Sequence, residues 1–141
     1  MESKPAQKVR VLVIDDDPIV LEVLRERLET AGYEVLVREH ALGTVQMVRE
    51  ERPDIVVLDI MMPALNGERI ATLLKGSART KDVGIILHSS KSEAELAPLI
   101  NETGALGAIS KSERADAFMQ RFDAMVRKHV RHDPSASGPL R

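Results

Sequence analysis

Apolar positions along this chain fall into two alternating patterns. The unbroken runs "VLVI" (11–14), "DIVVLD" (54–59) and "VGIILHS" (83–89) predict strands buried on both faces. "YEVLV" (33–37) and "ALGAIS" (105–110) predict two further strands, the second weaker. Between the runs, apolar residues recur at three- and four-residue spacing, the period of a helix with one buried face. Asp17 caps the first helix, Pro18 takes its first position, and Val20, Val23, Leu24, Leu28 and Ala31 mark its apolar positions up to Gly32. Ala41, Val45 and Val48 mark a second helix stopped by Pro53, and Ile70, Leu73 and Leu74 a third ending near Gly76. Ser92 and Glu95 have capping-box spacing and open a fourth, in which Pro98 predicts a kink or local break. A last helix is predicted from about Ser112, with Ala115, Phe118, Phe122, Met125 and Val126 facing inward. Five strands, each followed by a helix, predict an α/β fold with a parallel sheet covered on both sides and right-handed crossovers.

The polar residues that break this pattern sit at strand ends. Asp15, Asp16 and Asp17 close the first strand, Asp59 the third, Ser89 the fourth, and Ser110 and Lys111 the fifth. Open α/β sheets bind ligands outside the carboxyl ends of their strands, near the point where strand order reverses. If strands one, three, four and five are neighbours, Asp15, Asp16, Asp59, Ser89 and Lys111 share one crevice. Two charges ~4 Å apart repel by about 4 kcal/mol at an effective dielectric of ~20. Converging carboxylates therefore take up protons or bind a cation. A hard ion such as Mg2+ suits oxygen ligands and leaves room for a phosphate, beside which Lys111 adds a compact positive charge.

Composition narrows the field further. With 43% hydrophobic and 30% charged residues the chain has the makeup of a folded domain, and its few aromatics require an aliphatic core. The absence of cysteine excludes disulfides, thiol nucleophiles and thiolate metal sites. A net charge of −2 gives no general attraction for nucleic acid or anionic lipid, so neither is expected as a direct partner. No apolar stretch approaches the ~20 residues of a membrane span, and "MESKPAQKVR" lacks the apolar core of a signal peptide. The expectation is a cytoplasmic protein with one domain over 9–130, a flexible start over 1–8, and a flexible tail over 131–141 with no output domain.

The segments "VLVIDDDP", "DIVVLDIMMPALNG", "GIILHSS" and "GAISKS", in this order, resemble a bacterial response-regulator receiver domain of two-component signalling, of the chemotaxis-regulator kind. The resemblance implies a single doubly wound, flavodoxin-like fold with strand order 2-1-3-4-5 and five flanking helices. It implies that Asp59 is the phosphoacceptor, taking its group from a sensor histidine kinase or phosphotransfer protein with Mg2+ as cofactor. Asp16 would ligate the ion directly and Asp15 mainly through water, with the backbone carbonyl of Met61 completing the set. Ser89 and Lys111 would each meet a phosphoryl oxygen, and Pro63 and Gly67 would shape the loop after the acceptor, where Asn66 and Gly67 supply turn chemistry. The output would be a shift between two conformations read by an unknown downstream protein, with homodimerisation among the outcomes. The domain would catalyse only its own phosphorylation and dephosphorylation.

The chain also departs from the family pattern. Three residues before the lysine, where the family carries an aromatic residue that swings inward, stands Ala108, so a Tyr- or Phe-based switch is absent. Ser112 replaces the usual proline after the lysine and offers a helix cap, and Ser89 replaces the commoner threonine. Met61 and Lys91 flank the pocket at variable positions and tune how water reaches the phosphoryl group. Two alternatives stand beside this reading. One is a scaffold or dimerisation receiver that works without phosphorylation, and the other an Mg2+-dependent aspartyl phosphotransferase or phosphatase. The latter usually needs a second acid two residues past the nucleophile, where this chain has Met61. His88 and Ser89, adjacent on a strand, point to opposite faces and form no dyad, and His88 is expected to be packed or partly exposed. The basic residues of the last helix, Arg121 among them, are expected on a solvated face.

Overall fold

The computed structural model describes residues 8–61 and 67–132. Strands and helices alternate throughout. They run β1 (Arg10–Ile14), α1 (Pro18–Thr30), β2 (Glu34–Arg38), α2 (Thr44–Glu51), β3 (Ile55–Leu58), α3 (Gly67–Lys75), β4 (Gly84–Ser89), α4 (Glu93–Thr103), β5 (Gly107–Ser110) and α5 (Ala115–His132). The five strands form one parallel sheet in the order β2-β1-β3-β4-β5. β1 is paired on both sides, and the order reverses around it, which places the expected crevice at its carboxyl end.

Alternation along each strand divides the core in two. Leu12, Ile14, Val56, Leu58, Ile85 and Leu87 face α2, α3 and α4, packing on Val48, Ala71, Leu74 and Leu96. Val11, Val13, Val57, Ile86 and Ile109 face α1 and α5, packing on Leu24, Leu28, Phe118 and Phe122. Each such side chain, fully buried, contributes roughly 1.5–3 kcal/mol. The first of these cores is aliphatic among the described residues, while the second holds both phenylalanines. They stack with ring centroids 5.8 Å apart, and Tyr33 meets Phe122 edge-on at 5.2 Å.

Local sequence rules account for most element ends. Asp17 accepts a hydrogen bond from the Ile19 N–H, and Pro18 follows at the first helical position. Ser92 and Glu95 form both arms of the capping box. Gly104, at φ +73°, closes α4 with its N–H on the Ile100 carbonyl.

Several expectations are corrected. Val23 on α1 and Ala31 just past its end are exposed, and the buried stripe of α1 is Leu21, Leu24 and Leu28. Ala41 lies ahead of α2 and is buried, its carbonyl taking both the Thr44 N–H and hydroxyl. α4 continues through Pro98 without a local break. α5 begins at Ala115, which is exposed, and the helix runs to His132, so the expected tail from 131 starts inside it. Ser112 does not cap α5, because it is engaged with Ser110 through an Oγ–Oγ contact of 2.8 Å. Pro63 and Asn66 lie outside the described residues, as do most of the expected loose ends. No helix among the described residues is long and apolar enough to cross a membrane.

Candidate functional site

The carboxyl ends of β1 and β3 bring the acids together. The Asp59 N–H donates to the Ile14 carbonyl at 3.1 Å and the Asp15 N–H to the Arg38 carbonyl at 3.2 Å, so both residues prolong the sheet's own ladder. Asp15 and Asp59 are buried, Asp16 is exposed, and carboxylate oxygens of all three lie within 4.8 Å of one another. This buried acidic cluster can hold a metal ion.

Backbone donors fix one oxygen of each buried acid. Asp15 Oδ1 accepts from the Asp17 N–H at 2.9 Å, and Asp59 Oδ1 accepts from the Met61 N–H at 2.8 Å. The other oxygens face Lys111, whose Nζ lies 2.8 Å from Asp15 Oδ2 and 3.2 Å from Asp59 Oδ2. The Asp59 contact has hydrogen-bond geometry. The Asp15 contact is an ion pair without it, which leaves Asp15 Oδ2 buried with no directed donor.

The electrostatics point the same way. Burial pushes the Asp15 carboxyl above the usual aspartate value, and the charge of Asp59 adds to this against the lowering by Lys111 and the Asp17 N–H. Burial works to lower Lys111, but Asp15 and Asp59 outweigh it and hold the ammonium above the usual lysine value. One lysine does not neutralise three converging carboxylates. The incompletely satisfied Asp15 oxygen and an all-oxygen donor set fit a hard divalent cation.

Ser89 and Lys111 reach this edge from β4 and β5. Ser89 is fully buried, and its Oγ accepts from the Lys91 N–H at 3.2 Å. Its carbonyl accepts from the Lys111 N–H at 2.8 Å, which joins the two loops at their roots. Met61 is 54% exposed beside the acids, while Ala108 is buried within the core that faces α4.

His88 turns to the opposite face, as strand alternation requires. It is buried, meets the Phe118 ring edge-on at 5.6 Å, and leaves Nδ1 without a hydrogen bond among the described residues. Burial, helped by the charges of Lys111 and Arg27, lowers its pKa to about 3, so it stays neutral at ordinary pH.

Arg121 departs from expectation. Instead of standing on a solvated face, it donates through Nη2 to the Ala108 carbonyl at 3.0 Å and pairs with Glu93 and Glu113. These partners come from three separate segments, and no local motif marks them.

Comparison with known proteins supplies the family. The model of the response regulator receiver domain matches residues 11–123. Response regulator MprA of Mycobacterium tuberculosis is 30% identical over 94% of this chain, which spans 57% of that protein's length. Protein PilH of Pseudomonas aeruginosa is 29% identical over 83% of this chain and 97% of its own. A CheY-like receiver domain protein from Methanospirillum hungatei superposes with a TM-score of 0.79 at 19% identity, covering 89% of this chain and 98% of that one. A two-component response regulator of the LuxR family from Aurantimonas gives 0.77 at 27% identity, covering 86% and 87%. With the acids, the hydroxyl and the lysine gathered at one end of a 2-1-3-4-5 sheet and the model spanning most of its length, the chain belongs to the family of response regulator receiver domains.

Proposed function

We propose that this domain is a phosphorylation-controlled switch that accepts a phosphoryl group on Asp59 from the phosphohistidine of a sensor histidine kinase or phosphotransfer protein. The observation that carries the reading is the Asp59 carboxylate itself. It is buried, fixed by the Met61 N–H at 2.8 Å, and held 3.2 Å from the Lys111 ammonium beside a second buried acid. An Asp59 oxygen attacks phosphorus in line, the P–N bond of the donor breaks, and the imidazole nitrogen leaves with the electron pair. Lys111 and the Ser89 hydroxyl meet the charge spread over the phosphoryl oxygens, so that positioning and electrostatics do the catalytic work.

Asp15, Asp16, Asp59 and the Met61 carbonyl are the residues that would hold Mg2+. When bound, Mg2+ supplies the positive charge that lets an anionic phosphoryl group approach three carboxylates. Phosphorylation adds about −1.5 to −2 charge and three strong acceptors to one side chain. Ser89 and Lys111 then take new partners, and the populations of two arrangements of their loops shift. The output is contact with a downstream protein, and the reading places the domain in the cytoplasm with its donor.

A second reading, a scaffold or dimerising receiver that works without phosphorylation, is favoured by one observation. At the position of the family's moving aromatic residue, the small Ala108 side chain is packed in the core.

Incubation with Mg2+ and acetyl phosphate tests the first reading by intact mass. One alkali-labile phosphate per chain is expected, and none on Asp59→Asn. Calorimetric Mg2+ binding without any adduct would favour the scaffold. Multiple turnover of small phosphoesters would favour a phosphatase.

A further inference from the structure

Arg121 gathers acceptors at the open edge of the sheet. Its Nη2 donates to the carbonyl of Ala108 on β5, the outermost strand on that side. Its Nη1 pairs with Glu93, the first residue of α4, and lies 3.6 Å from Glu113 Oε2. Glu93 closes the loop that leaves Ser89, and Glu113 stands in the loop that leaves Lys111. The loops that carry the site's hydroxyl and its cation therefore both lead to acids held by one planar, multidentate head group.

Both loops are internally braced. Lys91 N–H is on Ser89 Oγ and the Ser92–Glu95 capping box follows. Ser112 N–H is on Ser110 Oγ, and Glu113 N–H is on the Ser110 carbonyl at 3.1 Å. Movement at the root of either loop is transmitted to its acid instead of being absorbed on the way. In the arrangement described, Lys111 is committed to Asp15 and Asp59, and Ser89 accepts from Lys91. A phosphoryl group on Asp59 asks both side chains to change partners.

We infer that Arg121 is a positioning residue that yokes the Ser89 loop to the Lys111 loop in the unloaded state, so that loading Asp59 and loosening the Arg121 clasp are coupled. This inference rests on the phosphoacceptor reading above. Coupling is reciprocal: whatever the clasp withholds from the loaded state, its removal returns as affinity for the load.

The test uses the full chain, with beryllofluoride and Mg2+ standing in for the phosphoryl group. In Arg121→Gln without ligand, amide hydrogen exchange at Leu96, Lys111 and Glu113 should accelerate, while amides in β1 and β3 stay protected and report an intact fold. Beryllofluoride affinity should rise about five-fold, within the usual span of coupling between sites. Glu93→Gln should act in the same direction, the double variant should add little to either alone, and Arg121→Lys should recover part of the parent behaviour.

Unchanged exchange in both loops would overturn the clasp. Faster exchange with unchanged affinity would overturn its coupling to the site. A parent chain that binds no beryllofluoride would overturn the phosphoacceptor reading and the coupling with it, whereas the exchange result would still decide whether the clasp exists.

Discussion

The ends of β1 and β3 and the ends of β4 and β5 line the same edge of one sheet, yet they are completed differently. At β1 and β3, buried carboxylates converge, and one oxygen of Asp15 lacks a directed donor. At β4 and β5, the polar groups of the loops find partners within the chain. Ser89 is met by Lys91, Ser110 by Ser112, and Arg121 by Glu93, Glu113 and the Ala108 carbonyl. Lys111 joins the halves, with its backbone on Ser89 and its ammonium on the acids. A region short of positive charge is where a cation gains most by binding. A region whose loop hydroxyls and charged head groups already have partners within the chain can exchange one set for another, although His88 Nδ1 and Arg121 Nε stay without a hydrogen bond among the described residues.

The largest expected effect separates the halves by pH. His88 has its folded pKa lowered to about 3 from 6.5, so its contribution to stability is present above 6.5 and is lost as pH falls from there toward 3. The full span is on the order of 5 kcal/mol. Asp15 has its folded value raised, so acid has the opposite sign there: the folded state binds its proton first and gains stability as pH falls. Urea unfolding without Mg2+ at pH 7, 5 and 4 should show a shallower acid loss in His88→Leu than in the parent. An identical loss in both would break the contrast.

Next in size, Asp15→Asn should weaken Mg2+ binding on the order of 100-fold. Ser112→Ala, on the β4 and β5 side, should leave that affinity within about two-fold. Isothermal calorimetry distinguishes the two, and equal losses would mean that charge shortage is not what draws the ion.

A smaller effect is expected at Met61, whose exposed apolar side chain stands beside the acids and, on the proposed function, should hinder attacking water. Met61→Asn should speed loss of the aspartyl phosphate about five-fold, on the order of 1 kcal/mol in barrier, followed by the decay of the intact-mass adduct. Equal decay rates would remove Met61 from control of the pocket.

The smallest, Ser92→Ala, removes the capping box of α4. It should cost about 1 kcal/mol of stability in thermal unfolding, with Mg2+ affinity unchanged.

How far the sequence could be read follows the same division. The runs before Asp15, Asp59 and Ser89 were legible because strands buried on both faces need unbroken apolar residues, and the acids interrupt them abruptly. The Ser92–Glu95 box and the Asp17-Pro18 start were legible because capping is local. The start of α5 was not, since Ser112 has a competing partner in Ser110 that spacing alone does not reveal. The inner stripe of α1 was read correctly at Leu24 and Leu28 but with Val23 in place of Leu21, because both lie within a turn of Leu24 and fit the helical period. Arg121 was read as surface because its partners come from α4, β5 and the loop before α5, a convergence that exists only after folding.

Asp15 and Asp59 prolong the inner strands β1 and β3, and the Asp59 amide bonds to Ile14 of β1 while the Asp15 amide bonds to Arg38 at the end of the edge strand β2. Their place therefore has no private route of fraying. It dissolves when the central strands do, at the cost of global unfolding. Damage far away, such as a methyl group forced onto Gly84 against Leu106 and Ile55, should shorten the lifetime of the acid cradle as much as it shortens that of the whole molecule.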